Sequence, residues 1–248
     1  MLIKDKGIIL KETIVGEADK ILTVLLYGRG KISVSARGAR KPGSKFLSAA
    51  QPFCLADFVI YAGNGFYAAA QIDLIESFYK LRDDYDMYRY ASFFAEMTDK
   101  MILPDMPAEN ALVLLATTFY AIVRGAAPLP LISAAFQFKF LQLEGYAPET
   151  GKCAVCGGRE AAGSGLFFGA EGIVCENCGE SPRVKEHKRY PVRISETTRY
   201  AIEYILNTDI KKLYNFTLSE KETGAIYEAA GVFRDCNIDA EFKSLELL

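Results

Sequence analysis

Over the first eighty positions apolar and polar residues alternate with the period of two that marks half-buried strands. Five segments carry the pattern: GIILKETIV, KILTVLLYG, KISVSARG, FCLADFVIY and FYAAAQIDLIE. Turn residues punctuate them, Gly28-Arg29-Gly30 between the second and third, and Gly63-Asn64-Gly65 between the fourth and fifth. Five short strands in this length predict a small closed barrel of the OB type, an architecture that commonly handles single-stranded nucleic acid. Beyond residue 80 the period becomes helical. Met87, Ala91, Phe94, Met97 and Met101 share one face, and Pro104 and Pro107 then break the chain. A second helix is predicted to about Arg124, and a third from about Leu131 to Gly145. Ser195 reads as the N-cap of a helix over 196–207. Ser219 and Glu222 have the spacing of a capping box before a helix running to about Asp235.

Half of the 248 residues are hydrophobic and a quarter are charged, as in globular chains. The greasiest stretch, ALVLLATTFYAIV, ends at Arg124 and reads as a buried helix, too short for a membrane span. MLIKDKGIIL lacks the apolar core and cleavage site of a secretory leader, so the expected location is cytoplasmic. The net charge of −2 hides an asymmetry: residues 1–45 hold ten Lys or Arg against four Asp or Glu. From Arg29 to Lys45 there are six basic residues and no acid.

Six cysteines are present, and four of them form two Cys-x-x-Cys pairs, Cys153 with Cys156 and Cys175 with Cys178, separated by eighteen residues. In a reducing compartment such pairs point to metal rather than disulfides. Each pair puts two sulfurs on one turn, and two pairs complete the tetrahedral shell of a structural zinc. Glycine follows each pair, at Gly157 and Gly179, where a positive φ would let backbone N–H groups face the sulfurs. Four thiolates leave no open position for catalysis. With one histidine in the chain, no His-built catalytic site can form, and His187 reads as a solvated connector residue. Cys54 and Cys236 read as small buried hydrophobes.

The fold expected is therefore α+β and multidomain. An N-terminal five-stranded OB-type β-barrel (1–80) is followed by an all-α domain in two parts (81–150 and 183–248) with an inserted four-cysteine zinc module (151–182). Nucleotide-binding and hydrolase motifs are absent from the sequence, and Asp83, Asp84 and Asp86 sit at a helix start where acids complement the macrodipole. An enzyme is not expected.

The segment KISVSARGARKPGSKF puts Arg37, Arg40, Lys41 and Lys45 on a strand end and the loop after it. Charge alone leaves two readings open, a phosphate-binding loop and a solvated one. Lys31 joins these four as a candidate contact, with Arg29 behind them. Among the barrel aromatics Tyr27, Tyr61, Phe66 and Tyr67, Tyr27 and Tyr67 border loops and are the better candidates for base stacking.

The chain resembles the RecO family of bacterial recombination mediators. The resemblance lies in Gly16-Glu17-Ala18-Asp19, Gly30-Lys31, the run from Gly38 to Phe46, the four cysteines, and the ending FKSLELL. The stretch EHKRYPV departs from the family pattern by being more basic. The resemblance implies binding of single- and double-stranded DNA, strand annealing, and loading of RecA onto strands coated by single-strand-binding protein (SSB). It also implies RecR and the SSB C-terminal tail as partners, no membrane, and a nucleoid-associated place in the cytoplasm. A zinc-containing interaction scaffold and an RNA-binding OB protein are the alternatives.

Overall fold

The computed structural model describes all residues except 64, 159–165 and 182–190. His187 and most of the basic connector 183–193 lie outside the described residues. The described chain divides into two compact units, Met1–Arg124 with Phe242–Leu248, and Gly125–Glu241.

The first unit contains a closed five-stranded barrel in the order β1-β2-β3-β5-β4. Its strands are β1 (Leu2–Val15), β2 (Asp19–Leu26), β3 (Gly30–Ala36), β4 (Leu55–Gly63) and β5 (Phe66–Glu76). All pairings are antiparallel except a short parallel contact of Val34 with Tyr67 and Ser35 with Ala68. Strand β1 starts five residues earlier than the apolar pattern predicts. Its first half, from Leu2 to Ile8, pairs with β4, and its second half, from Gly7 to Val15, with β2. The polar run Lys4-Asp5-Lys6 hides the first half from a hydropathy reading. The inward residues Ile9, Leu22, Val24, Ile32, Val34, Phe58, Ile60 and Ile72 fill the barrel.

Three helices complete this unit with the C-terminus: α1 (Lys80–Asp83), α2 (Tyr85–Met101) and α3 (Glu109–Arg124). Asp84, one of the three acids placed at this helix start, caps α2 by accepting from the Met87 N–H at 2.9 Å. Phe53 and Phe78 both meet Phe119 of α3 edge-on at 5.4 Å, which locks the helix to the ends of barrel strands. The glycine at 30, with φ +66°, allows the closest approach: a Cβ there would lie 1.8 Å from the Met106 carbonyl oxygen. The α2–α3 connector thereby covers the β2–β3 end of the barrel.

The second unit is built on α4 (Leu129–Leu143), buried on every side from Leu131 to Leu141. Around it lie α6 (Glu196–Asn207) and α7 (Glu220–Asn237). Between α4 and α6 come β6 (Leu166–Gly169), β7 (Gly172–Cys175), the single turn α5 (Glu176–Gly179) and β8 (Val192–Ile194). The strands form one sheet in the order β7-β6-β8. Ser195 caps α6 as expected, accepting from Thr198 N–H at 3.1 Å. The capping box at α7 is half formed. Ser219 accepts from Glu222 N–H at 3.3 Å, but the Glu222 carboxylate accepts instead from the hydroxyls of Ser195 and Thr198. One carboxylate thus ties two helix starts together, and these hydroxyls hold its pKa below the ordinary glutamate value.

Candidate metal centre and nucleic-acid interface

The four cysteines Cys153, Cys156, Cys175 and Cys178 converge, with all Sγ atoms within 4.8 Å of one another. Cys156 and Cys175 sulfurs are 3.9 Å apart. Tetrahedral thiolate ligands at the usual metal–sulfur distance sit about 3.8 Å apart, so the cage is the right size for one ion. Cys153 is buried, Cys156 is exposed, and the other two are half-buried. Burial works against ionisation of Cys153, but the backbone N–H groups of Cys175, Cys156 and Val155 outweigh it and bring this thiol down to about 6. Cys178 goes the other way, to about 12, through burial and then through the three neighbouring sulfurs. Four thiolates this close repel one another, which is the electrostatic problem a bound cation solves.

Only one of the two glycines has the positive φ the sequence implied, and its N–H meets a carbonyl and not a sulfur. Gly157 has φ +71°, and its N–H donates to the Cys153 carbonyl at 2.8 Å. Gly179 closes the short α5 without a positive φ. A Cβ there would stand 2.4 Å from the Phe167 ring, so glycine is required by packing. The cage is also joined to the helices more closely than an independent loop would be. Phe168 of β6 contacts Phe138 of α4 at 5.5 Å and Phe233 of α7 at 5.9 Å. The strand that carries the hairpin of the cage therefore donates a fully buried side chain to the helical core.

The basic segment after β3 is a compact loop held from beneath. The Asp19 carboxylate accepts from Gly38 N–H at 2.7 Å, and the Ala18 carbonyl from Arg40 N–H at 2.9 Å. The Arg40 guanidinium donates to the Gly16 and Glu17 carbonyls at 3.3 and 3.1 Å. Ala39 and Phe46 are buried under the loop. The β1–β2 turn Gly16-Glu17-Ala18-Asp19 and the run from Gly38 to Phe46 are thus one structural feature. Arg37, Arg40, Lys41 and Lys45 are all exposed on it. Lys45 Nζ donates to the Ala70 carbonyl at 2.7 Å and lies 5.0 Å from the Phe46 ring centre.

Lys31 is placed apart from the other four. Its ammonium pairs with Asp99 Oδ1 at 3.2 Å and donates to the Asp99 carbonyl, with the side chain 19% exposed. It braces β3 against α2, and the sequence carries no sign of a partner so far away. The aromatic ranking changes as well. The Tyr67 hydroxyl donates to Asp105 at 2.8 Å, and the hydrogen bond raises its pKa. The Tyr27 phenol is raised in the same way by Glu109. Tyr67 thus ties the barrel to the α2–α3 connector. Tyr61 and Phe66, ranked behind Tyr27 and Tyr67 on sequence, are 55% and 57% exposed.

Residues 1–78 match the family model described as "Recombination protein O N terminal", and residues 82–246 the one described as "Recombination protein O C terminal". Proteins named "DNA repair protein RecO" match along nearly the whole chain. That of Acetivibrio thermocellus is 29% identical over 247 residues, covering 99% of this chain and 96% of the relative. That of Thermoanaerobacter sp. is 31% identical, covering 100% and 97%. Another, from Caldicellulosiruptor bescii, is 31% identical over 88% of this chain and 85% of its own.

Proposed function

The chain belongs to the RecO family of DNA repair proteins, and from that premise we propose that it is a non-enzymatic recombination mediator. It binds single- and double-stranded DNA, anneals complementary strands and helps load RecA onto SSB-coated DNA, with RecR and the SSB C-terminal tail as protein partners. The observation that carries the reading is the loop on which Arg37, Arg40, Lys41 and Lys45 stand exposed over a buried Ala39 and Phe46.

The physical work is electrostatic. Exposed cations on the loop neutralise phosphates and release condensed counterions, so affinity falls steeply with salt. Phosphate contacts carry no sequence information, so binding tolerates any sequence. Two strands whose mutual repulsion is screened in this way can pair. Lys31 enters as the brace that positions β3 beneath the loop, since its charge is matched by Asp99. The four cysteines fit zinc by number, donor type and sulfur spacing, and a zinc ion there would supply a structural cross-link. Cys153, Cys156, Cys175 and Cys178 would hold it and so fix the β6–β7 hairpin that delivers Phe168 to the helical core.

Fluorescence anisotropy of a labelled single strand across a salt series tests the proposal. The log–log slope for the wild type should be negative, by about 0.7 per phosphate contact. A variant with Arg37, Arg40, Lys41 and Lys45 all changed to Glu should bind weakly with a shallow slope. Equal binding by the two proteins would move the interface off this loop. Intact DNA after incubation with Mg2+ is the expected result of a cleavage control, and nicking would overturn the non-enzymatic reading.

A further inference from the structure

We propose that Tyr61 and Phe66, on the outer face of the β4–β5 hairpin, stack on bases of a single strand whose phosphates lie on Arg37 and Lys45. This deepens the nucleic-acid reading above and rests on it.

The register defines the face. Tyr61 pairs with Ala68, Gly63 with Phe66, Leu2 with Tyr61, and Ser35 with Ala68. Side chains directly opposite each other share a face. Their neighbours in the strands, Ile60, Tyr67 and Val34, point into the barrel. The outward surface is therefore Leu2, Tyr61, Phe66, Ala68 and Ser35, and the exposed Arg37 follows in the turn directly after β3. Tyr61 and Phe66 are diagonal neighbours, with side chains about 7–8 Å apart. Neither ring has a ring or hydrogen-bond partner among the described residues. Ser35, Ala68 and Gly63 are small, so the surface between the rings and the cations is low and open.

Charge gives this face a direction. Arg37 leaves β3 two residues after Ser35, which pairs with Ala68, and Lys45 donates to the Ala70 carbonyl of the same β5 strand. From Ala70 to Phe66 along β5 is about 13 Å at the usual strand rise. One oligonucleotide can reach both ends. In the opposite direction β4 and β5 present Asp57 and Asp73 opposite each other; Lys6 Nζ pairs with Asp57 at 3.7 Å, so Asp73 is left to repel a phosphate chain at this end. The cations and the rings thus lie on the same side of this acidic boundary. Aromatic faces accept any base, in keeping with sequence-tolerant binding.

The wild-type chain has no tryptophan, so Phe66→Trp and Tyr61→Trp each create a single fluorophore at the point in question. Oligothymidylate of about 15 nucleotides, a typical OB site size, is titrated beside an abasic deoxyribose-phosphate oligomer of equal charge. Anisotropy of labelled strands reports binding independently. Quenching of the tryptophan by oligothymidylate and not by the abasic strand is the expected result. Tyr61→Ala and Phe66→Ala should each weaken oligothymidylate binding about tenfold. Their affinity for the abasic strand and their salt slope should match the wild type, because the phosphate contacts remain. Anisotropy that reports binding while both tryptophans stay bright overturns the stacking inference and leaves the basic loop standing. Emission that follows protein concentration, unaffected by DNA, overturns it in favour of a contact between copies of the chain. No anisotropy change in the wild type overturns the nucleic-acid reading and this inference together.

Discussion

The loop at 37–46 and the cysteine hairpin are both short segments without a hydrophobic core of their own, and they are ordered in opposite ways. In the hairpin four sulfurs converge within 4.8 Å, so with the proposed metal bound the atoms that define the site would also hold the fold. In the loop the two tasks are divided for Arg37 and Lys41, while the Arg40 guanidinium also ties the loop to the β1–β2 turn. Backbone N–H groups of Gly38 and Arg40 and the buried Ala39 hold it, while the ends of Arg37 and Lys41 face solvent. A ligand set that is also the scaffold tolerates no substitution, whereas cations presented by a separately built scaffold can be exchanged at little structural cost.

Breaking the hairpin should have the largest effect. Cys153→Ser or Cys175→Ser, or removal of metal by a chelator, should cost more than about 4 kcal/mol in the second unit, read as loss of a cooperative thermal transition. Oligonucleotide affinity per folded barrel should hardly change, and a large loss of affinity in a folded variant would overturn this separation of scaffold from binding surface. Phe168→Ala leaves every sulfur in place but removes the side chain that joins hairpin to helices. About 3–4 kcal/mol of destabilisation is expected in chemical denaturation, with metal content intact.

Smaller perturbations sharpen the contrast within the first unit. Glu96 accepts from the N–H groups of Lys243 and Ser244 and from the Ser244 hydroxyl, and so fastens the C-terminal segment to α2. Glu96→Gln should cost about 1–2 kcal/mol in equilibrium unfolding. Burial opposes ionisation of this carboxyl, but the Ser244, Lys100 and Lys243 hydrogen bonds outweigh it and lower its pKa below 4.5. Its contribution is therefore complete above about pH 4.5 and is lost as pH falls through the lower folded value. The Gln variant should show a weaker acid dependence between those two points. Least affected should be Lys31→Met, with about 1 kcal/mol lost from the Asp99 pair and an unchanged salt slope of DNA binding. Arg37→Ala should do the reverse, lowering that slope by about 0.7 with no measurable change in stability.

Features that depend on near neighbours in sequence were readable without the structure. The two Cys-x-x-Cys turns, the caps at Ser195 and Ser219, and the alternation of five strands each span only a few residues. The family motifs were readable too, but their reason was not. Asp19 and Gly38 belong together because one carboxylate caps one N–H across nineteen positions. The helix α4 shows the limit most clearly. Ser133, Gln137 and Lys139 are polar side chains on that helix, yet all three are buried. Lys139 donates to the Leu206 carbonyl at 2.8 Å, and Gln137 accepts from Arg234 at 2.8 Å.

The sequence by itself determined the barrel, the helices, the thiolate cage and the presence of a basic loop, because periodicity, turn chemistry and ligand spacing are local. Tertiary structure alone decided which polar groups are free to act. The charge of Lys31 is matched by Asp99, sixty-eight positions away, Tyr67 is held by Asp105, and Glu222 turns from its own helix cap to two hydroxyls of α6. A side chain is released to solvent or committed to a partner by what folding brings beside it, and the order of residues along one chain does not record that distance.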